Sequence, residues 1–240
     1  MLKKWINKKY LNEKKIKNIN KIFLKAKPYP NFVLNDFFNK KRLSSLKKEI
    51  LKEKFEKVEK DLFSLSHTCD LISSDNIMIK EFYSLLFSKE FISLMEKLTN
   101  EKLSQKIDMS EIERRHTLAI GYKTSRRFPS MLKNTPNNLV RSVFDMQSHG
   151  MAQGDYLLFH DDVVEGRSIA YIVYLADLSA EDGGALRLYD IKKPLNPIKK
   201  INPGFNTFAC FKVSSKSMHD VEEVKSNKQR LTIGGWFYGN

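Results

Sequence analysis

Four residues in the last third of the chain, His160, Asp162, His219 and Arg230, are of types and in an order that could do chemistry. Two imidazoles and one carboxylate can occupy one face of a ferrous ion's coordination sphere. The opposite positions stay open for a bidentate 2-oxo acid and for dioxygen. A guanidinium is a planar fork that matches a carboxylate, so Arg230 suits the far end of a dicarboxylate cosubstrate. Together the four read as an oxygenase site. Singly they say little: a His-x-Asp pair arises by chance in many chains with five histidines. A lone histidine is more often a hydrogen-bonded core or surface residue, and a strand-end arginine is ordinarily solvated. Their order and their placement on β-type segments carry the joint reading.

The elements that must position these residues are strands. His160 and Asp162 follow the apolar run Tyr156 to Phe159. On an extended strand residues two apart point to one side, so the pair converges on one ion if strand geometry persists through both. His219 lies beyond a second apolar segment, Phe205 to Val213, and before the final run Arg230 to Tyr238. In a two-sheet jelly roll, strands distant in sequence meet across the barrel, which brings His219 back to the first pair. Thr232 shares a strand face with Arg230 and is a further candidate for a hydrogen bond in the site.

From Ser142 onward β-branched and aromatic residues dominate, with Gly154, Gly166, Gly183-Gly184, Pro203-Gly204 and Gly234-Gly235 as turn or bulge punctuation. The amino-terminal half reads as helical support. Apolar residues recur at three- and four-residue spacing over Leu43 to Lys54, Ile77 to Leu86 and Lys89 to Leu98. Tyr29-Pro30-Asn31 predicts a turn into a short strand at Phe32 to Leu34. Helices first and strands afterwards imply an α+β fold with a jelly-roll core.

Four stretches then become specific: Tyr156 to Leu175, Gly183 to Asp190, Ser217 to Val224 and Arg230 to Phe237. In sequence and order they resemble the ribosomal prolyl hydroxylases, iron- and 2-oxoglutarate-dependent dioxygenases of the prolyl 4-hydroxylase type. The likeness covers most of residues 145 to 240, and more loosely Tyr29 to Phe37 and the helical stretch to about Leu98. It implies a double-stranded β-helix (cupin-like) core, with Fe(II) held by His160, Asp162 and His219 as the catalytic centre. It also implies that Arg230 pairs with the remote carboxylate of 2-oxoglutarate and that the Tyr174 hydroxyl donates to the same group. The implied reaction consumes dioxygen and 2-oxoglutarate, releases succinate and carbon dioxide, and hydroxylates a proline of a small-subunit ribosomal protein near the decoding centre. Ascorbate is the implied reductant.

The chain departs from that family in three places. Nine residues before His160, where the family carries a tyrosine, stands Met151, which has no donor. Residues of about 104 to 142 read as a basic insertion that includes Arg114, Arg115, Lys123, Arg126 and Arg127. Of two similar fragments, Ile107 to Ser110 and Phe144 to Gln147, the second lies at the right distance to lead into the strand before His160. Thirdly, the better-known eukaryotic members have a second, non-catalytic jelly roll, whereas this sequence stops just after its final strand, so the likeness is to the catalytic domain alone.

Composition agrees with one catalytic domain over residues 28 to 240, built from helical support (about 28–103), the insertion (about 104–142) and the jelly roll (about 143–240). With 240 residues, 41% of them apolar, the chain can bury a substantial core. Cys69 and Cys210 stand far apart without a metal-binding spacing, which fits a reducing compartment and disfavours a disulfide scaffold. No run reaches membrane-spanning length and no secretory block opens the chain, so nucleus or cytoplasm is the expected location. The net charge of +14 is concentrated: residues 1–27 hold ten lysines and one glutamate. Among those lysines stand Trp5, Ile6, Tyr10, Leu11, Ile16, Ile19, Ile22 and Phe23, so this segment either forms an amphipathic helix or stays flexible until bound. Contact with ribosomal RNA, a nuclear-localisation patch, an organelle-targeting segment and a merely solvated basic helix are the readings it supports, although a mitochondrial presequence would be rich in Arg and Ser, which this segment is not.

Two other functions compete. A 2-oxoglutarate-dependent nucleic-acid demethylase would suit a basic protein, but such enzymes usually show a second arginine on the final strand and here there is Arg230 alone. A non-catalytic ribosome- or RNA-binding jelly roll would use the basic segment for phosphate contacts, and the intact set of ligand residues argues against it.

Overall fold

Four helices are opened by a polar side chain. The side-chain oxygens of Asn12, Asn39, Asn76 and Ser88 accept from the main-chain N–H groups of Lys15 (3.1 Å), Arg42 (3.2 Å), Met78 (2.9 Å) and Phe91 (3.2 Å). Each satisfies a donor that a helix's first turn otherwise leaves unpaired. After a single turn α1 (Leu2–Trp5), these caps begin α2 (Glu13–Lys25), α3 (Lys40–Ile50), α4 (Ile77–Leu86) and α5 (Lys89–Thr99). The helix expected from Leu43 starts three residues earlier because Asn39 caps it, and it ends at Ile50 instead of Lys54. This computed structural model describes residues 1–69, 71–103, 146–163 and 167–239. The basic insertion expected at 104–142 lies outside the described residues.

Of the two conformations that the lysine-rich amino-terminal segment allows, the packed helix is observed. Ile16, Ile19 and Phe23, spaced by three and four, are buried on one face of α2. Trp5 is fully buried against Phe82, with ring centroids 5.1 Å apart. Its indole N–H donates to Glu81 at 3.0 Å, and the Arg42 guanidinium lies 4.4 Å from the ring centroid. Most apolar residues of this segment, though not Ile22 or Leu24, join the main core, while most of its lysines stay exposed.

Eleven strands follow or interleave: β1 (Asn31–Asn35), β2 (Glu56–Lys60), β3 (Phe63–His67), β4 (Met146–Met151), β5 (Tyr156–His160), β6 (Arg167–Tyr174), β7 (Leu186–Asp190), β8 (Lys193–Ile201), β9 (Thr207–Lys212), β10 (His219–Val221) and β11 (Arg230–Tyr238). Every pairing between them is antiparallel. One run of neighbours is β1-β9-β6-β11-β4 and the other is β5-β10-β7-β8. β3 bridges them, pairing through Ser66 and His67 with β4 and through Phe63 and Ser64 with β5. β2 lies outside β3. The result is a nearly closed antiparallel barrel, the double-stranded β-helix expected from the sequence, with helical support.

Alternation divides the larger sheet into two faces. Phe208 of β9, Tyr171 of β6 and Phe237 of β11 meet Phe37, Phe38 and Phe91 in an aromatic layer beneath the helices. The opposite parity of the same strands, including Ala170, Ile172, Phe211, Arg230 and Thr232, lines a cavity inside the barrel.

Candidate metal and cosubstrate site

The structure brings His160, Asp162 and His219 together, with one ligand-type atom from each lying within 4.8 Å of the others. His160 ends β5, and His219 begins β10 directly opposite it in register. Their ring centroids are 4.2 Å apart. Each Nδ1 lies 2.7 Å from a main-chain carbonyl, of Leu158 for His160 and of Ser217 for His219. A carbonyl can only accept, so each Nδ1 carries the proton and each Nε2 presents a lone pair. Those Nε2 atoms lie 3.5 and 3.4 Å from the two carboxylate oxygens of Asp162. Burial works against charge on Asp162, but Nε2 protons on the two imidazoles, or a cation in their place, outweigh it and hold the carboxyl well below its ordinary value.

Asp162 does not reach this position by strand alternation. β5 stops at His160, and Asp162 has φ +63°, in the left-handed region that few side-chain-bearing residues adopt. Strand pleating, expected from the sequence to aim the carboxylate, does not reach it: a left-handed backbone at Asp162, beyond the end of the strand, does. Contacts from elsewhere hold that backbone. The Ser217 hydroxyl donates to the Asp161 carbonyl at 2.9 Å, and Arg167 Nη1 lies 3.5 Å from the Asp162 carbonyl. The Arg167 guanidinium itself sits 3.4 Å from the Trp236 ring centroid. Tyr29 supports the other side, donating from its hydroxyl to the Met218 carbonyl at 3.1 Å and packing on Phe211, which packs on His219.

Arg230, Thr232 and Tyr174 form a second group in the same barrel. Arg230 is only 3% exposed. Its Nε donates to the Gly184 carbonyl at 2.8 Å and its Nη1 faces the Met151 sulfur. Among the described residues no carboxylate pairs with it. A buried cation without a counter-charge is costly unless an anion completes it, and burial lowers its pKa accordingly. Tyr174 pairs in register with Thr232, and the Arg230 guanidinium carbon lies 5.3 Å from its ring centroid. The Tyr174 hydroxyl is buried; Arg230 is its polar neighbour, and no acceptor among the described residues takes its proton. Burial raises its pKa while Arg230 opposes the rise, so it is a neutral donor. Thr232 lines the cavity beside Arg230.

The cavity, of about 420 Å³, connects the His160–Asp162–His219 end to Arg230 and is walled mainly by apolar residues such as Leu65, Leu157, Leu186 and Phe211. Two imidazoles with free lone pairs beside one carboxylate fit a divalent iron ion. A buried guanidinium without a carboxylate partner and a buried tyrosine hydroxyl without an acceptor fit a dicarboxylate. Sequence reasoning missed Arg167, Trp236, His67 and His149. The last three line the cavity, and placing them required the pairing of β3, β4 and β11.

Residues 146–238 match the model of the 2OG-Fe(II) oxygenase superfamily. Over 224 residues the chain is 31% identical to prolyl 3-hydroxylase OGFOD1 of Xenopus laevis, covering 91% of this chain and 36% of that protein. It is 28% identical to prolyl 3,4-dihydroxylase OGFOD1 of Ostreococcus tauri, covering 93% and 40% respectively. The chain thus spans less than half the length of these relatives. Among solved structures, a prolyl hydroxylase from Trichoplax adhaerens, in complex with a hypoxia inducible factor peptide fragment, superposes with TM-score 0.62 at 13% identity over 94% of this chain and 91% of that one. A Pseudomonas putida prolyl-4-hydroxylase gives TM-score 0.56 at 15% identity, covering 94% and 99%. These two likenesses show the shared fold.

Proposed function

We propose that the chain is a 2OG-Fe(II) oxygenase, of the superfamily whose model matches residues 146–238, and that it hydroxylates a prolyl residue of a protein substrate, at carbon 3 of the ring as in the names of its relatives. The observation that carries this reading is a buried guanidinium without an acid partner in the same cavity as two histidines and an aspartate poised as ligands. His160, Asp162 and His219 would hold Fe(II). Arg230, with Tyr174 and Thr232, would hold the remote carboxylate of 2-oxoglutarate. Iron and cosubstrate, once bound, supply the oxidant from dioxygen, with succinate and carbon dioxide released and one oxygen atom delivered to the proline.

The protein's own part is positioning and a shielded cavity. The Nδ1 hydrogen bonds to the Leu158 and Ser217 carbonyls fix both imidazoles with Nε2 toward the ion. Burial among apolar walls lowers the effective dielectric around Arg230, so the charge match there is little weakened by solvent. The family resemblance favours a small-subunit ribosomal protein near the decoding centre as substrate, with ascorbate as reductant and nucleus or cytoplasm as location. Lysines on the exposed face of α2 suit contact with ribosomal RNA.

The test is spectroscopic and then chemical. Anaerobic addition of ferrous iron and 2-oxoglutarate together should give a visible charge-transfer band that neither gives alone and that His160→Ala and Asp162→Ala abolish. A folded wild-type protein without that band would sink the site. Incubation with ribosomal protein should then add one oxygen to a specific proline, and 2-oxoglutarate turnover without such a product would remove the prolyl assignment.

A further inference from the structure

β4 presents Gln147, His149 and Met151 to the cavity at alternate positions. In register with β11, Met151 faces Arg230 and His149 faces Thr232. On its other side His149 pairs with His67 of β3. The ring of His149 lies toward Gly234, where a Cβ would come 3.6 Å from its Nδ1, so that glycine gives the imidazole space on the cavity face of β11. Neither ring nitrogen has a hydrogen-bond partner within the protein among the described residues. Burial, then the charges of His67 and Arg230, push its pKa down to about 4 against the opposing pull of Asp162. The imidazole is therefore neutral, with one N–H to donate, in a cavity shared by Asp162 and Arg230.

Resting on the reading of this cavity as a 2-oxoglutarate site, we infer that His149 is a further cosubstrate-binding residue whose imidazole N–H donates to the bound dicarboxylate, a contact that Met151 has no donor to make. Three features support this. The ring is in the cavity, its nitrogens are unspent, and it stands one cross-strand pair from Arg230. A neutral imidazole also avoids the repulsion that a second cation would exert on Arg230.

The experiment measures equilibrium binding of 2-oxoglutarate by calorimetry to protein loaded with Mn(II), which needs no turnover. His149→Leu should weaken binding about tenfold or more, the usual consequence of losing a hydrogen bond to a charged group. His149→Gln, which keeps an N–H donor, should stay within about threefold of wild type. Adding Met151→Tyr to His149→Leu should restore much of the lost affinity by supplying a hydroxyl at the neighbouring position. Mn(II) affinity and thermal unfolding, measured on every variant, show that each remains folded and metal-competent. Wild-type affinity in His149→Leu would overturn the inference, and so would a Gln variant as weak as the Leu variant. If wild-type protein bound Mn(II) but no 2-oxoglutarate, the cosubstrate reading of the cavity would fail, and this inference with it.

Discussion

Arg230 Nη1 lies 3.6 Å from the sulfur of Met151, directly across the β11–β4 pairing. A thioether is a weak acceptor and cannot neutralise a buried cation. With Nε committed to the Gly184 carbonyl and only the Met151 thioether and the Tyr174 hydroxyl beside it, the guanidinium keeps donor capacity and its full charge for an anion in the cavity. The barrel thus holds its strongest anion attractor in an incompletely satisfied state.

Arg230→Lys should test whether the fork matters or only the charge. Lysine offers one compact ammonium and cannot hold the Gly184 carbonyl and a carboxylate in the same geometry. Affinity for 2-oxoglutarate, measured on Mn(II)-loaded protein, should fall by about tenfold to hundredfold, as expected for losing charge-assisted hydrogen bonds. Met151→Leu keeps the volume and removes only the weak acceptor, and should change affinity by less than about threefold. Equal losses in the two variants would mean that packing, not charge, governs this end of the cavity.

Metal should stabilise the fold through the three ligand residues. Ligand at about one hundred times its dissociation constant adds about 2.7 kcal/mol. In a chain of this length that raises Tm by about 5–10 °C. Mn(II) or Zn(II) should give such a rise in wild type, a chelator should reverse it, and Asp162→Ala should show none. A shift that survives Asp162→Ala would place the metal elsewhere.

Asp155 links the β2–β3 hairpin to the turn between β4 and β5. Burial opposes its charge, but hydrogen bonds from Lys57, from the Ser64 hydroxyl (2.7 Å) and from the Ala152 N–H (2.9 Å) prevail and hold its carboxyl below the ordinary value. A depressed folded-state pKa means that the unfolded chain takes up the proton first as pH falls. The stabilisation is therefore complete above the unfolded value of about 4 and is lost as pH falls from there through the folded-state pKa. Asp155→Asn should cost about 1–3 kcal/mol at pH 7 by urea denaturation, and the gap to wild type should narrow at pH 3. A gap independent of pH would show that the carboxylate's charge contributes nothing.

What the sequence revealed follows from which forces are local. The extent of α4, Ile77 to Leu86, matches the expectation because apolar spacing sets it, and Asn76 caps it from within the same segment. β5 and β11 likewise announce themselves as apolar runs. The hairpin of β2 and β3 does not: Glu56 to Lys60 is charged at four of five positions, and pairing with β3 makes it a strand. The ligand types were legible, but the left-handed backbone at Asp162 was not, since Ser217 and Arg167 brace it through contacts the sequence separates. His149 was silent for a similar reason, because its position beside Thr232 depends on strand register.

Gly184 and Gly154 provide a matched pair for the last prediction. Both have positive φ, +70° and +85°, so alanine at either is strained by about 1–2 kcal/mol. Their surroundings differ. A Cβ on Gly184 would lie 3.2 Å from Arg230 Cδ and equally close to Leu178 and Val224, whereas one on Gly154 would meet nothing within 4 Å. The Gly184 carbonyl also accepts from Arg230 Nε, so backbone strain there moves the arginine directly. Gly184→Ala should therefore lower stability and also weaken 2-oxoglutarate binding by about threefold to tenfold, since a misplaced fork loses part of a hydrogen bond. Gly154→Ala should lower stability alone. Calorimetric binding beside thermal unfolding separates the two effects. If Gly184→Ala bound 2-oxoglutarate as well as Gly154→Ala, the Gly183-Gly184 turn would be a matter of chain reversal only, and the aim of Arg230 would have to be set by β11 itself.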